Sequence, residues 1–269
     1  MNALSLCILG CGNIGSAIAR GLKKSDQFTT KNITLTRRKI QKLEGFKKAG
    51  FQTTDKNSEA VQKAKIVIIA VGPSQLVPLL EDISSSLNKK HLIISIVSGV
   101  KIKEIQEKVG SAIPIVRAMP NTAADLCESM TCLSTSAGFV KELDIAITLF
   151  NQIGKTLVIS EGQMASATAL GACGVAFFLR AIRAASQGGI EIGFHSDEAF
   201  TIAAQTARGA ATLLLDNKTH PEAEIDRVTT PMGATIAGLN EMEHQGFSSA
   251  MIKGITISTE KVSKLFSKK

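Results

Sequence analysis

The sequence of 269 residues contains no tryptophan and no tyrosine, and its aromatic residues are eleven phenylalanines. Any binding site must therefore be built from phenylalanine, aliphatic and small polar side chains. The formal net charge is +8, but basic residues are scattered apart from Arg37-Arg38-Lys39 and a lysine-rich C-terminus. Because no aromatic residues alternate with these clusters, the pattern disfavours a surface that stacks nucleic-acid bases. We expect no nucleic-acid partner.

The five cysteines show no C-x-x-C spacing, and their odd number excludes a complete set of disulfides within the chain. Cys127 and Cys132 have no neighbouring histidine pair that would complete a zinc site. The sequence therefore predicts no metal site, a reducing compartment and a cytoplasmic location. The N-terminus lacks the basic region of a signal peptide, and no apolar run is expected to span a bilayer, so we expect no membrane contact.

The glycines Gly10, Gly12 and Gly15 form a G-x-G-x-x-G pattern between two different kinds of segment. The preceding apolar run, 6–9, predicts a buried parallel strand, and 16–22 predict a helix. In that context the three glycines permit a tight turn, close approach of a pyrophosphate, and close packing of helix on strand. The helix N-terminus offers N–H groups and a positive dipole end to phosphate. The pattern predicts a dinucleotide-binding loop, with an ordinary glycine turn as the alternative.

The end of the second predicted strand bears on the choice of cofactor. NAD-binding folds usually place an acidic residue there to bind the ribose 2′-hydroxyl, whereas this sequence has Thr36-Arg37-Arg38. Guanidinium groups match a 2′-phosphate in charge and in bidentate geometry. The sequence therefore predicts NADPH, with NADH as a possible second cofactor. The alternative interpretation is a solvated basic start to the following helix.

Strands and helices alternate as far as residue 160, which predicts a doubly wound parallel sheet with helices on both faces. The candidate strands after the first are 32–36, 50–54, 65–71, 91–97, 113–117, 130–134 and 156–160. Beyond residue 160 the pattern predicts only helices, and such halves often bury themselves against a second copy. We expect an NAD(P)-binding Rossmann domain over 1–160 and an all-helical dimerisation and substrate domain over 161–269.

Several further motifs follow one another in an order typical of one enzyme family. They are Ala70-Val71-Gly72-Pro73, Ser95-Ile96-Val97-Ser98-Gly99-Val100, Arg117-Ala118-Met119-Pro120-Asn121-Thr122, His220-Pro221 and Thr230-Pro231-Met232-Gly233-Ala234-Thr235. With the glycine loop, they make the chain resemble the pyrroline-5-carboxylate reductases over about 6–265. The Arg-Ala-Met-Pro-Asn-Thr and Pro-x-Gly-Ala-Thr stretches are much more specific than the glycine loop.

The resemblance implies an oxidoreductase that transfers a hydride from NADPH to the cyclic C=N bond of 1-pyrroline-5-carboxylate. The product would be L-proline, in the last step of proline biosynthesis. It also implies a homodimer through the helical domain, with assembly into a higher oligomer such as a decamer. The small-molecule partner that the resemblance implies is thus a cyclic imine.

The resemblance and the residue chemistry together predict the site residues. Thr235 is expected to be catalytic, because the matching hydroxyl in the family hydrogen-bonds the ring nitrogen; a helix N-cap is the alternative. The predicted substrate-binding residues are Glu161, from the resemblance alone, with Gly233, Ala234 and Thr235, whose helix start can bind a carboxylate. The predicted cofactor-binding residues are Gly10, Cys11, Gly12, Asn13, Ile14, Gly15, Thr36, Arg37, Arg38, Asn57, Val71, Gly72, Ser98 and Asn121. For Asn121 the alternative is a turn residue after proline.

Three departures from the family pattern bear on the substrate. Gly72 stands where lysine is common, which removes a cation near the cofactor. The stretch 171–177 reads Gly-Ala-Cys-Gly-Val-Ala-Phe where the family has Ser-Gly-Ser-Gly-Pro-Ala-Tyr, and Met232 replaces a glycine. Two other functions are therefore kept: a related reductase of another imine or a keto acid, and a non-catalytic NADP(H)-binding protein.

Overall fold

The computed structural model describes residues 5–25 and 27–264. These residues divide into two compact units. The first comprises the described residues up to Ala172 together with those from Ser258 onward, and the second is Cys173–Ile257. All strands of the described residues belong to the first unit.

The first unit is built on an eight-stranded sheet with the order β3-β2-β1-β4-β5-β6-β7-β8. Its strands are β1 (Leu6–Leu9), β2 (Ile33–Thr36), β3 (Gln52–Thr54), β4 (Ile66–Ile69), β5 (Leu92–Ser95), β6 (Ile115–Met119), β7 (Ser129–Thr135) and β8 (Gly154–Val158). Strands β1 to β6 are parallel, and Leu6 lies in register with both Ile33 and Ile66. The doubly wound fold class is thereby confirmed.

Helices cover both faces of this sheet because its strands are apolar on both sides. Successive strand side chains point to opposite faces, and accordingly Leu6 and Ile8 join one core cluster while Cys7 and Leu9 join another. The helices of this unit are α1 (Asn13–Lys23), α2 (Glu44–Lys48), α3 (Asn57–Gln62), α4 (Leu76–Ile83), α5 (Ile102–Val109), α6 (Val140–Phe150) and α7 (Met164–Ala167). Helices α1 and α6 contribute to the first cluster, and α3, α4 and α5 to the second.

Strand β7 departs from the expected parallel sheet: it runs antiparallel to β6, with Val116 opposite Thr135. The length of the connection explains the direction. A parallel return needs a crossover of a dozen or more residues, and the nine residues of 120–128 between the two strands are too few. Helix α6 supplies a full crossover from β7 to β8, and these two strands are parallel again.

Helix α1 is held closely against the segment that follows β6. A Cβ on Gly21 would overlap the carbonyl oxygen of Ala124, so only glycine permits this approach. At the rim of the contact, Arg20 Nε lies 2.8 Å from Asp125 Oδ2. The packing fixes the helix that follows the glycine loop relative to the segment that begins with Asn121.

The second unit is helical, as expected. It contains α8 (Gly174–Glu191), α9 (Ser196–Asn217), α10 (Pro221–Arg227), α11 (Ala234–His244) and most of α12 (Phe247–Lys264). Helices α8 and α9 pack so closely that a Cβ on Gly189 would lie 2.9 Å from Ala199 Cβ. Many large apolar side chains of this unit are exposed in the single chain, among them Phe178, Leu179, Ile190, Ile192, Phe194, Phe200, Leu215 and Ile252.

The helical segment Glu161–Glu191 is long and apolar enough to cross a membrane by length and composition alone, with a mean hydropathy of 1.6 in its most apolar window. No apolar run of that length was expected from the sequence. The segment also contains a short π-helix, Thr168–Cys173, between α7 and α8.

Candidate active site

A cavity of about 990 Å³ opens at the carboxyl ends of β1, β2 and β4 in the first unit. The strand order reverses between β1 and β4, and open α/β sheets bind ligands at such a switch point. Eight of the predicted cofactor residues line this cavity: Gly10, Gly12, Thr36, Arg37, Arg38, Asn57, Val71 and Gly72. The structure thus brings together residues from four separate stretches of the sequence.

The glycine loop forms the inner wall of the cavity. Gly10 turns the chain after β1 with a φ of +86°, a conformation that favours glycine. A Cβ at this position would overlap Val71 Cγ1 and lie 3.0 Å from the Ala70 carbonyl oxygen. Helix α1 then begins at Asn13 with Gly12 as its N-cap, and no described side chain caps this end. The first-turn N–H groups are therefore well placed for the oxygens of a phosphate ligand.

Four basic residues line one side of the same cavity: Arg37, Arg38, Lys39 and Lys42. The two arginines were predicted from the sequence as cofactor residues, and the two lysines were not. Residues 40–43 form a 3₁₀ turn, in which side chains three residues apart lie on the same side. The three-residue spacing of Lys39 and Lys42 was the sequence pattern from which their common position could have been predicted. This charge suits an anionic group at the end of β2, such as a 2′-phosphate.

Arg37 also makes a hydrogen bond to the glycine loop, which its charge alone does not predict. Its Nη1 donates a hydrogen bond to the carbonyl oxygen of Cys11 at 3.0 Å. The guanidinium therefore braces the glycine loop as well as contributing positive charge to the cavity. Arg38 is exposed, whereas Arg37 is only partly exposed.

A chain of hydrogen bonds links the glycine loop to helix α4. The amide N–H of Gly10 donates to Thr36 Oγ1 at 3.3 Å, and that hydroxyl donates to Asn57 Oδ1 at 2.7 Å. Asn57 Nδ2 then donates to Asp82 Oδ2 at 3.0 Å. All four residues line the cavity. Asp82 was not predicted from the sequence, because it belongs to no nucleotide-binding motif and its partner Asn57 lies 25 positions earlier.

Six predicted cofactor residues do not line this cavity: Cys11, Asn13, Ile14, Gly15, Ser98 and Asn121. Cys11 is buried, with its Sγ 3.4 Å from Ser16 Oγ, and burial raises the pKa of its thiol. Gly15 packs α1 against β1, where an added Cβ would lie 3.2 Å from Ile8 Cγ2. Ser98 and Asn121 follow β5 and β6, so both lie at the same carboxyl edge of the sheet.

Asn121 joins the segment after β6 to the π-helix. Its Oδ1 accepts from the Ala123 N–H at 3.0 Å, which caps the 3₁₀ turn at 122–126. Its Nδ2 donates to the carbonyl oxygen of Gly171 at 3.0 Å. The residue is 8% exposed. This amide therefore organises local structure at a π-helix, a feature that often occurs at functional sites.

Glu161 is anchored within the first unit. Its Oε1 accepts from the Ile102 N–H at 2.7 Å and from Arg117 Nη1 at 3.2 Å. The Arg117 side chain is only 6% exposed, and that of Glu161 is 33% exposed. The predicted substrate residue thus has one oxygen committed to the N-terminus of α5 and to β6.

The remaining predicted substrate residues lie in the second unit, at the start of α11. Gly233 is the N-cap of this helix, so Thr235 is its second helical residue and not its cap. A Cβ on Gly233 would lie 2.5 Å from Thr230 Oγ1 and 2.9 Å from the Thr230 carbonyl oxygen, which makes glycine necessary for this turn. Ala234 and Thr235 are exposed. The helix start can therefore offer N–H groups and a hydroxyl to a ligand.

Comparisons with known proteins match both the N-terminal and the C-terminal part of the chain. A family model described as pyrroline-5-carboxylate reductase dimerisation matches residues 161–265. A model described as NADP oxidoreductase, coenzyme F420-dependent, matches residues 5–99. Pyrroline-5-carboxylate reductase 2 of Dictyostelium discoideum is 50% identical, over 98% of this chain and 93% of that protein. The chain belongs to the pyrroline-5-carboxylate reductase family.

Two further members of the family show how far the likeness extends. Pyrroline-5-carboxylate reductase 1 of Dictyostelium discoideum is 52% identical over 98% of this chain, but this chain spans only 50% of that protein. The crystal structure of the Plasmodium falciparum pyrroline carboxylate reductase, with NADP bound, has a TM-score of 0.90 and 25% identity. That match covers 99% of this chain and 100% of the other.

Among the described residues, 5–25 and 27–264, no group of three or more histidine, cysteine, aspartate or glutamate side chains could hold a metal ion. The glycine loop, the basic residues at the cavity edge and the start of α11 are candidate ligand-binding features.

Proposed function

We propose that this chain reduces 1-pyrroline-5-carboxylate to L-proline with NADPH, the last step of proline biosynthesis. The observation that carries the proposal is the cavity at the strand switch point, where the Gly10 turn lies beside four basic side chains. The relatives are named pyrroline-5-carboxylate reductases, which supports 1-pyrroline-5-carboxylate as the substrate. NADH is kept as a second possible cofactor.

The residues present fit an NADP-type dinucleotide. A Cβ on Gly12 would meet only the carbonyl oxygen of Gly10, at 3.9 Å, so the space beside this glycine is open for a ligand to approach the loop backbone. Arg37 and Arg38 supply the guanidinium groups for a 2′-phosphate, and Gly12 opens α1 for the pyrophosphate. When bound, the cofactor supplies the hydride. The other predicted cofactor residues, including Ser98 and Asn121, are proposed as part of the same binding region.

The start of α11 is proposed to bind and orient the substrate. The N–H groups of Gly233 and Ala234 hold the carboxylate at the positive end of the helix dipole. The Thr235 hydroxyl donates to the ring nitrogen, which keeps the C=N bond polarised while the nitrogen becomes tetrahedral. Glu161 is proposed to border the substrate ring, with its Oε1 held by Ile102 and Arg117.

The domain assignment and the assembly form part of the same proposal. Residues 1–160 bind the cofactor, and residues 161–269 form the dimerisation and substrate domain. The exposed apolar side chains of the helical unit, such as Phe178 and Phe200, are covered by a second copy. We assign the apolar segment Glu161–Glu191 to this interface and not to a membrane, because the dimerisation family model covers it. The dimers assemble further, for example into a decamer, in the cytoplasm.

The proposal is tested by following NADPH oxidation at 340 nm with the purified full chain. Substrates are 1-pyrroline-5-carboxylate and a panel of other cyclic imines and keto acids. We expect the highest kcat/KM with 1-pyrroline-5-carboxylate. A higher kcat/KM with another imine or a keto acid would assign the chain to the related reductase. Binding of NADPH without turnover of any substrate would support the non-catalytic alternative.

A further inference from the structure

In the hydrogen-bond chain from Gly10 to Asp82, each donor lies on the side of the glycine loop and each acceptor on the side of Asp82. We infer that Asp82 is a positioning residue for the cofactor, which orients Asn57 and, through Thr36, the glycine loop. The inference rests on the proposed binding of NADP(H). It concerns a residue of helix α4 that lies outside the nucleotide-binding motifs.

Each link in the chain allows one direction of donation only. The Gly10 N–H can only donate, so Thr36 Oγ1 must accept from it and use its own hydrogen elsewhere. That hydrogen goes to Asn57 Oδ1 at 2.7 Å, which leaves Asn57 Nδ2 to face Asp82 Oδ2 at 3.0 Å. Every donor therefore points from the glycine loop towards Asp82.

Asp82 enforces this direction because an ionised carboxylate only accepts hydrogen bonds. If the Asn57 amide were flipped, its oxygen would face the carboxylate and its NH₂ group would face the Thr36 hydroxyl. The Thr36 hydroxyl would then have no acceptor for its hydrogen, and the Asn57 NH₂ group would compete with the Gly10 N–H for its oxygen. A charged acceptor at one end also polarises and strengthens the bonds before it. The carboxylate thus fixes the orientation of three preceding groups.

The backbone of Thr36 shows why this orientation matters at the loop. Its carbonyl oxygen accepts from the Cys11 N–H at 2.8 Å, while its hydroxyl accepts from the neighbouring Gly10 N–H. Thr36 thus holds two consecutive amides of the glycine loop. The loop backbone approaches the proposed pyrophosphate closely, so a small shift there alters several hydrogen bonds together.

Asn57 supplies the second route to the cofactor. An amide NH₂ carries two hydrogens, and Asp82 takes one of them. With the amide held in this orientation, the other hydrogen is available to an oxygen of the bound adenosine ribose or its phosphate. Asp82 is exposed, so its replacement is expected to leave the fold intact and to change binding alone.

The test measures the Kd of NADP⁺ by isothermal titration calorimetry on the full chain, with folding checked by circular dichroism. Asp82→Asn keeps the shape of the side chain, but the new amide can donate as well as accept and no longer enforces one direction. We expect its Kd to rise about three- to tenfold, the size of one net hydrogen bond. Ser58→Ala is the matched control, because Ser58 Oγ contacts Asp82 O at 2.8 Å and Asp82 Oδ1 at 3.3 Å without joining the chain. Its Kd is expected to stay within twofold of the parent value.

A double variant separates positioning from a direct effect of charge. Asn57→Ala removes the amide through which Asp82 acts on both routes, so adding Asp82→Asn to it should leave the Kd unchanged. A Kd of Asp82→Asn equal to that of the parent, a lower Kd from relief of repulsion, or full additivity with Asn57→Ala would each overturn the inference while leaving the proposed function intact. A parent chain that binds no NADP⁺ would overturn the proposed function and this inference together.

Discussion

Arg117 and Glu161 form an ion pair with 3.2 Å between Nη1 and Oε1, and the same oxygen accepts the Ile102 N–H at 2.7 Å. Arg117 comes from the middle of β6, and Glu161 lies in the 3₁₀ turn that follows β8. The contact places a carboxylate at the N-terminus of α5, where the helix dipole stabilises negative charge. One side chain thereby fastens the beginning of the 161–191 helical segment to a central strand and to a helix start.

Glu161→Ala should lower the free energy of unfolding by about 2 kcal/mol, because it leaves the buried Arg117 guanidinium without its carboxylate. Glu161→Gln should lose less, since its amide oxygen can still accept from Ile102. Urea unfolding checks both values. Glu59→Ala, which breaks the exposed pair Lys56–Glu59, is the matched control and should change nothing measurable. Equal midpoints for Glu161→Ala and the parent would contradict a structural role for the pair.

Asn121→Asp separates the two hydrogen bonds of this side chain. The carboxylate can still accept from Ala123, but it cannot donate to Gly171 and places an oxygen beside that carbonyl. We expect a loss of about 1–3 kcal/mol in the free energy of unfolding, at least as large as for Asn121→Ala. If Asp is tolerated while Ala is not, the cap is the important contact and the link to the π-helix contributes little.

The two arginines of the cavity should respond differently to replacement. Arg38→Ala should raise the KM for NADPH about tenfold or more and leave that for NADH unchanged, because only NADPH carries the 2′-phosphate. Arg37→Ala should raise both KM values, since Arg37 also holds the Cys11 carbonyl oxygen. Replacing both arginines should still affect NADPH far more than NADH. Steady-state kinetics with each cofactor measure these ratios, and equal losses for the two cofactors in Arg38→Ala would exclude the proposed phosphate contact.

Buried thiols make stability depend on pH in the alkaline range. Burial raises the pKa of Cys7 and Cys11 above the ordinary value of 9.0. Above about pH 9 the unfolded chain releases these protons while the folded chain keeps them, so the free energy of unfolding must fall as the pH rises. The slope approaches about 1.4 kcal/mol per thiol and pH unit. Urea unfolding between pH 8 and 10 should show a smaller slope for Cys7→Ala than for the parent; parallel curves would contradict the shift.

Thr235→Val retains the size and β-branching of the side chain and removes only its hydroxyl. If that hydroxyl donates to the ring nitrogen, kcat/KM should fall roughly ten- to a hundredfold, as for a lost hydrogen bond of about 1–3 kcal/mol. Thr235→Ser should keep much of the activity. A valine variant with the parental kcat/KM would remove Thr235 from the mechanism.

The features predicted from sequence were those that depend on neighbours in the chain. The Gly10 loop and the end of β2 could be located because strand, turn and helix signals follow one another within a few residues. Asp82 could not, because its role depends on a contact with Asn57 across two packed helices. Strand β7 is antiparallel to β6 because the connection 120–128 is short. The prediction of an all-parallel sheet did not consider the length of this connection. The π-helix at 168–173 was not predicted, because a single π-helical turn inside a longer helix has no residue pattern of its own.

Hydride transfer to the imine carbon is the central claim, and isotope labelling tests it most directly. The full chain is incubated with 1-pyrroline-5-carboxylate and NADPH deuterated at C4 of the nicotinamide, in either diastereomer, and the product is analysed by NMR and mass spectrometry. The account predicts L-proline with a single deuterium at its δ carbon, from one of the two diastereomers only. Absence of proline, or proline without deuterium from either diastereomer, would contradict it.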